Sequence, residues 1–191
     1  MVRVPYVDPD DLPAEKRALL DTLSETEEAE RAHELEGGTL NVYRLLGNNV
    51  AVLEAFRSYG STVWQESGLT PHERETVILA TSCHADAPYE WHQHVRVALD
   101  EGMTREQIRA ISSGDHEALE PELAAAVDYV DAFVEGDVDD DVHDRLADHF
   151  DDDVIVGIGA LAGLYLGLAR ALDAFAVDTE VEFVGWDLEN L

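Results

Sequence analysis

Positive charge is scarce in this sequence. Twelve lysines and arginines, with Lys16 the single lysine, stand against 42 aspartates and glutamates, for a formal net charge of −30. Binding to nucleic acid or to an anionic membrane depends on basic side chains neutralising phosphates, so both partner classes are excluded. Cysteine is almost absent as well. Cys83 stands alone, which rules out an intrachain disulfide and a cysteine-based zinc site. Met1–Tyr6 shows no basic segment followed by an apolar run, so a secretory signal is not expected. The longest apolar stretch, Val154–Leu168, is interrupted by Gly157, Gly159, Gly163 and Gly167 and is short for a bilayer, which takes about 20 residues. It reads as a buried core helix of a cytoplasmic protein. No segment alternates apolar and polar residues long enough to claim a strand.

What is present is a core. Hydrophobic residues make up 46% of 191, enough for one domain to bury a sizeable interior and too much for a chain kept unfolded by its charge. An acidic excess spread along the chain, with lysine nearly absent, matches the surface of a protein from a salt-in halophile. Repulsion among these charges weakens as the Debye length falls from about 10 Å at 0.1 M to about 3 Å at 1 M salt, so folding should depend on salt.

The periodicity is helical. Leu119, Leu123, Val127, Val130 and Val134 recur at steps of three and four, as do Leu161, Leu164, Leu168, Ala171 and Leu172. Thr70-Pro71-His72-Glu73 and Thr104-Arg105-Glu106-Gln107 have the form of capping boxes, and Gly102 and Gly136 that of helix stops. Helices are predicted near Pro13–Thr26, Leu40–Leu46, Ala51–Glu66, Pro71–Ser82, Pro88–Glu101, Arg105–Ile111, Glu120–Glu135, Asp141–His149 and Asp153–Phe175. The fold class is all-α: a single-domain bundle of about eight to nine helices. Residues 1–39 read as an acidic N-terminal arm, with Glu25–Glu36 as helix or mobile segment, 40–180 as the domain, and 181–191 as a tail. Asp137–Asp141 and Asp151–Asp153 read as solvated helix starts, where negative charge suits the helix dipole.

The chemistry concentrates between Glu75 and His94. Glu90 and His94 are four apart and share a helix face with Ala98 and Glu101, flanked by Trp91 and Val95, so part of that stripe is expected to be buried. A carboxylate and an imidazole held together in a low-dielectric pocket shift each other's pKa, which suits general acid–base work. Glu75, on the preceding helix, shares its face with Ile78, Leu79 and Ser82 and is expected to point inward. His84, His92 and His94 with Glu90 do not make a metal site, because positions 92 and 94 lie on opposite sides of a helix. No metal and no cofactor is assigned.

Arg74-Glu75-Thr76-Val77-Ile78-Leu79, Tyr89-Glu90-Trp91-His92-Gln93-His94-Val95 and Gly102-Met103-Thr104-Arg105-Glu106-Gln107-Ile108 together resemble the carboxymuconolactone decarboxylase family, whose superfamily includes the AhpD-like alkylhydroperoxidases. The resemblance extends from about Leu40 to Glu180. The AhpD-like relay has the pattern Glu, eleven residues, Cys, two residues, Cys, three residues, His. This sequence keeps its ends as Glu75 and His94, but the two cysteine positions are Ala87 and Glu90. A dithiol that cycles through an internal disulfide is therefore excluded. The Tyr-Glu-Trp-x-x-His form that remains implies the decarboxylase-like branch.

The resemblance implies a lyase acting on a small carboxylated lactone or related acid, with His94 as acid, Glu90 tuning it and Glu75 as a second relay. Arg44, Arg57, Arg74 and Arg96 are the candidates to meet a substrate carboxylate. The alternatives are a peroxidase of the AhpD-like kind using Cys83, displaced from the thiol positions, and a non-catalytic oligomer that binds a small ligand. Beyond its substrate, the partner expected is a second copy of the chain, in a trimer or hexamer, with the glycine-rich helix allowing close approach.

Overall fold

The computed structural model describes residues 1–20 and 39–191. Eight α-helices are present among them: α1 (Asn41–Leu46), α2 (Val50–Glu66), α3 (Pro71–His84), α4 (Pro88–Asp100), α5 (Arg105–Ser113), α6 (Pro121–Glu135), α7 (Asp140–Ala147) and α8 (Asp152–Phe175). Short 3-10 helices occur at Pro9–Asp11, Ala14–Leu20 and His116–Ala118, and no strand forms among the described residues. The all-α reading therefore holds. Of the helix expected at Pro13–Thr26, the described part is a 3-10 helix, because Leu20 turns inward with Leu12 onto Leu53 of α2. The acidic stretch Glu25–Glu36 lies outside the described residues.

Local chemistry explains the helix boundaries. Thr70 Oγ1 accepts from the backbone of Glu73 while Glu73 reaches back to the amide of Thr70 at 2.7 Å, and Thr104 and Gln107 repeat the arrangement at the start of α5. Gly136 ends α6 at φ +77°, a left-handed backbone that costs glycine little. Asp139 caps α7 by accepting from Val142 at 2.8 Å, as expected of a solvated helix start.

Helix α3 is the axis of the bundle. Every residue from Arg74 to Ser82 is buried, because this part of α3 is surrounded by α4, α5, α6 and α8. Helix α8 is, among the described residues, the one helix long and apolar enough to cross a membrane by length and composition. Its 24 residues exceed the apolar stretch read from sequence. In the bundle it packs on α2, α3 and α6.

One of its glycines is needed at a crossing inside the protomer. A Cβ at Gly157 would sit 2.1 Å from the carbonyl oxygen of Ser67, where backbone meets backbone and no rotamer relieves the clash. Gly157→Ala should destabilise the fold by about 1–3 kcal/mol or more. Gly167→Ala, which meets nothing within 4 Å, should be neutral or stabilising by up to about 1 kcal/mol. Denaturant titrations of the two variants at fixed salt check the contrast.

Residues 181–191 are not a tail. Val184 and Leu188 are buried in the main core, Trp186 packs on Trp91 with ring centroids 5.3 Å apart, and Trp91 Nε1 donates to Gly185 O at 3.0 Å. The segment straps α4 in place, its apolar side chains leaving water against the core. The first twenty residues pack likewise, with Val7 N donating to Arg44 O and Arg3 N to Phe175 O.

Candidate functional site

The chain reverses sharply between α3 and α4, with Asp86 in the left-handed region at φ +51°. Aspartate tolerates that conformation better than most side chains. The turn lays α4 back against α3, so residues nineteen apart in sequence come into contact.

Glu75 and His94 meet directly. Glu75 is fully buried, and its Oε2 lies 2.7 Å from His94 Nδ1. A carboxylate can only accept, so Nδ1 carries the hydrogen and Nε2 faces the other way. There it looks toward Glu90 Oε2 at 3.9 Å. The three residues picked from sequence thus converge on one point in the order Glu75, His94, Glu90.

Arg74 anchors the inner end. Its Nε donates to Glu75 Oε1 at 3.2 Å, its Nη2 reaches Glu101 at 3.5 Å, and its guanidinium lies 3.5 Å from the centre of the Trp64 ring. Tyr165 of α8 closes the site, its ring edge-on to the imidazole at 5.0 Å. Tyr165 was not identified from the sequence, although it is the one polar-tipped side chain between Val154 and Ala169.

Glu180 was missed as well. It accepts from Tyr89 Oη at 2.7 Å, Gln93 Nε2 at 2.6 Å and the amide of Asn41 at 2.6 Å, tying the C-terminal segment to α1 and α4. Nothing in local spacing marks it, since its partners lie far away in sequence.

Burial pushes the Glu90 carboxyl up to about 7; the charge of His94 opposes the shift and that of Glu180 adds to it. Burial works against the His94 imidazolium, yet the charge and hydrogen bond of Glu75, joined by Glu90, outweigh it and raise the pKa. Tyr165 is held well above its ordinary value, first by burial and then by Glu90 and Glu75. Near neutral pH the arrangement favours a protonated His94 beside a Glu90 poised to hold or release a proton.

Glu90, itself buried, is among the residues around a cleft of ≈ 90 Å³, together with Asp86, Ala87, Tyr89, Leu172 and Asp173. Glu90 Oε1 is buried with no hydrogen-bond partner among the described residues, the sort of acceptor a ligand proton or hydroxyl can satisfy. His94 stands behind Glu90 and is not part of the cleft wall.

The histidines go separate ways. His84 pairs with Asp131 at 2.7 Å and His92 Nδ1 accepts from Val184 N at 3.1 Å, so neither joins His94. Cys83 is half-buried, its thiol pushed up to about 11 by burial and then by Asp131 and Asp86. It is a poor thiolate at neutral pH.

Residues 51–132 match the carboxymuconolactone decarboxylase family. The matched segment runs from α2 into α6 and contains Glu75, Glu90 and His94. The fold is that of AhpD-like proteins. A peroxidase-related protein from Ralstonia eutropha JMP134, described as an alkylhydroperoxidase AhpD core, superposes with a TM-score of 0.76 at 21% identity, covering 93% of this chain and 92% of that one. A peroxidase-related protein from Silicibacter sp. TM1040 gives 0.69 at 21% identity, covering 95% and 92%. The debrominase Bmp8, in complex with 2,3,4-tribromopyrrole, gives 0.68 at 17% identity, covering 74% and 77%. At these identities the likeness carries the fold alone. No curated protein matches the sequence.

Proposed function

We propose that the chain is a general acid–base enzyme of the carboxy-lyase type, acting on a small unsaturated lactone acid. The observation that carries this reading is Glu90, a residue beside a cleft whose buried carboxyl is pushed up to about 7 and is backed by the His94–Glu75 pair. When a substrate carboxylate leaves as carbon dioxide, its bonding electrons pass into the conjugated lactone as a dienolate, which must be protonated on carbon. Glu90 supplies that proton, His94 restores it, and Glu75 holds the imidazole in register. The expected roles of Glu90 and His94 are thereby exchanged, because Glu90 is the one beside the cleft.

The arginines narrow the substrate. Arg44 is paired to Asp8, Arg57 lies over the Tyr43 ring, Arg74 is held by Glu75 and Glu101, and Arg96 contacts His92. The cleft wall itself carries Asp86, Glu90 and Asp173. A monocarboxylate of low charge suits such a wall better than a tricarboxylate.

A peroxidase reading, suggested by the names of the peroxidase-related neighbours, is disfavoured by the raised pKa of Cys83. Carbon dioxide release from a panel of lactone monoacids at molar potassium chloride tests the proposal. His94→Ala should lower turnover by about 10²–10⁴-fold. Equal turnover in that variant would remove the relay, and no release by the wild type from any member of the panel would remove the lyase.

We also propose that the chain works in a salt-rich cytoplasm as a homo-oligomer, a trimer or hexamer. Support comes from large apolar side chains left exposed on α2 and α8: Val156 is 71% exposed and Val52 and Tyr59 are each 49% exposed. Light scattering should show an assembly at molar salt that dissociates as screening is withdrawn. A folded monomer at micromolar protein and molar salt would refute it.

A further inference from the structure

The cleft has an inner end that the proton relay leaves unused. On α8 the residues around it are Ala169, Leu172, Asp173 and Ala176. Tyr165 comes four residues before Ala169, on the same face of α8 and one turn further in. On α4, His94 follows Glu90 by the same step. The two helices pack on each other, and these stripes meet where the Tyr165 ring stands edge-on to the His94 imidazole, with centroids 5.0 Å apart and planes at 84°. Between Tyr165 and the cleft, Ala169 contributes only a methyl group.

Tyr165 brings a hydroxyl to this end. It makes no hydrogen bond among the described residues. Of the charged groups around it, Glu90 bears on it most strongly and Glu75 next. Glu90 Oε1 is buried and likewise has no hydrogen-bond partner among the described residues. A donor and an acceptor in one site, each unsatisfied and not joined to each other, leave their hydrogen bonds to be completed by a ligand.

We propose that Tyr165 Oη donates a hydrogen bond to the lactone carbonyl oxygen of the substrate and is the catalytic residue that stabilises the negative charge formed there. The inference rests on the lyase reading of the site. When the bond to the carboxyl carbon breaks, carbon dioxide leaves without the bonding pair, which passes through the conjugated system onto the carbonyl oxygen. Glu90 then delivers its proton to carbon as the pair returns there. Tyr165 transfers no proton, because burial and the neighbouring carboxylates hold its pKa well above the ordinary tyrosine value. Its hydrogen bond strengthens as charge builds on the oxygen, so it favours the transition state over the bound substrate. The four arginines near the site are engaged elsewhere, which leaves a neutral donor to do this work. In the sequence Tyr165 sits among aliphatic residues and glycines, and that run reads only as a core helix.

The test separates binding from turnover. A saturated γ-lactone monoacid, isotope-labelled at its lactone carbonyl, has no conjugated path for decarboxylation and reports binding alone. Infrared difference spectra at molar potassium chloride should show its carbonyl stretch lowered on binding to the wild type. In Tyr165→Phe the stretch should return toward the free frequency and binding should weaken by about 2–10-fold. Tyr129→Phe, on α6 and away from the cleft, should leave both unchanged. With a lactone acid that is turned over, Tyr165→Phe should lower kcat by about 10²–10³-fold and change KM much less. Thermal melts at the same salt verify folding, with Tyr165→Met as the replacement should Tyr165→Phe not fold. A carbonyl shift lost in Tyr165→Phe while no lactone acid releases carbon dioxide removes the lyase and keeps the donor. An equal carbonyl shift in wild type and variant, an unshifted carbonyl in the wild-type complex, or no binding of the probe to the wild type overturns the proposal.

Discussion

Glu90→Gln is expected to lower turnover by about 10²–10⁴-fold while stabilising the folded chain above neutral pH. In the folded state the carboxyl titrates at about 7, against an ordinary value of 4.5, because burial disfavours its charge. As pH rises from about 4.5 to 7 the unfolded chain releases this proton and the folded chain keeps it, so wild-type stability falls across that window and levels off above it. The shift corresponds to about 3 kcal/mol at pH 8. Glutamine keeps the shape without the charge. Denaturant titrations at constant potassium chloride should show the variant close to wild type at pH 4 and more stable at pH 8. A difference independent of pH would mean that Glu90 does not titrate in this range.

Glu75→Gln should act in the opposite direction, with a cost of about 3–5 kcal/mol. The carboxylate is fully buried between Arg74, itself only 7% exposed, and His94. Its loss leaves a guanidinium in the core without its nearest counter-charge. For a domain stable by about 5–15 kcal/mol, that is a large fraction of the total. Part of the deficit depends on pH. Because the folded pKa of His94 is raised, its stabilising contribution is fully present below the ordinary 6.5 and is lost as pH climbs through the raised value. The variant should therefore trail wild type further at pH 6 than at pH 8, while the Arg74 part of the loss persists at both. A melting series at the two pH values, with a nuclear magnetic resonance titration of His94 showing a lowered pKa, checks both parts. An unchanged His94 titration would remove Glu75 as its partner.

These two variants distinguish a buried charge with a partner from one without. Glu75 has Arg74 on one oxygen and His94 on the other. Glu90 has an oxygen with no hydrogen-bond partner among the described residues and a neighbour 3.9 Å away. The first stabilises the bundle and the second destabilises it when ionised, and the second is the one beside the cleft. Functional carboxyls are commonly kept at such a cost to stability.

What the sequence determined by itself is whatever a helix decides within a few residues. The capping boxes at Thr70 and Thr104, the stop at Gly136, the shared face of Glu90 and His94, and the inward face of Glu75 follow from a 3.6-residue period and from backbone groups needing partners, and all were legible. Tertiary structure decided which nitrogen of His94 each carboxylate meets, that Arg74 stacks on Trp64 and pairs with Glu75, that Tyr165 and Glu180 join the site, and that residues 181–191 strap α4. It also decided that the Ala14–Leu20 turn is a 3-10 helix, through Leu20 packing near Leu53. Each of these depends on the side chains that occupy the space between distant segments. Burial, rotamer and charge at such a point are set jointly by every helix packed around it, and no local spacing records that sum.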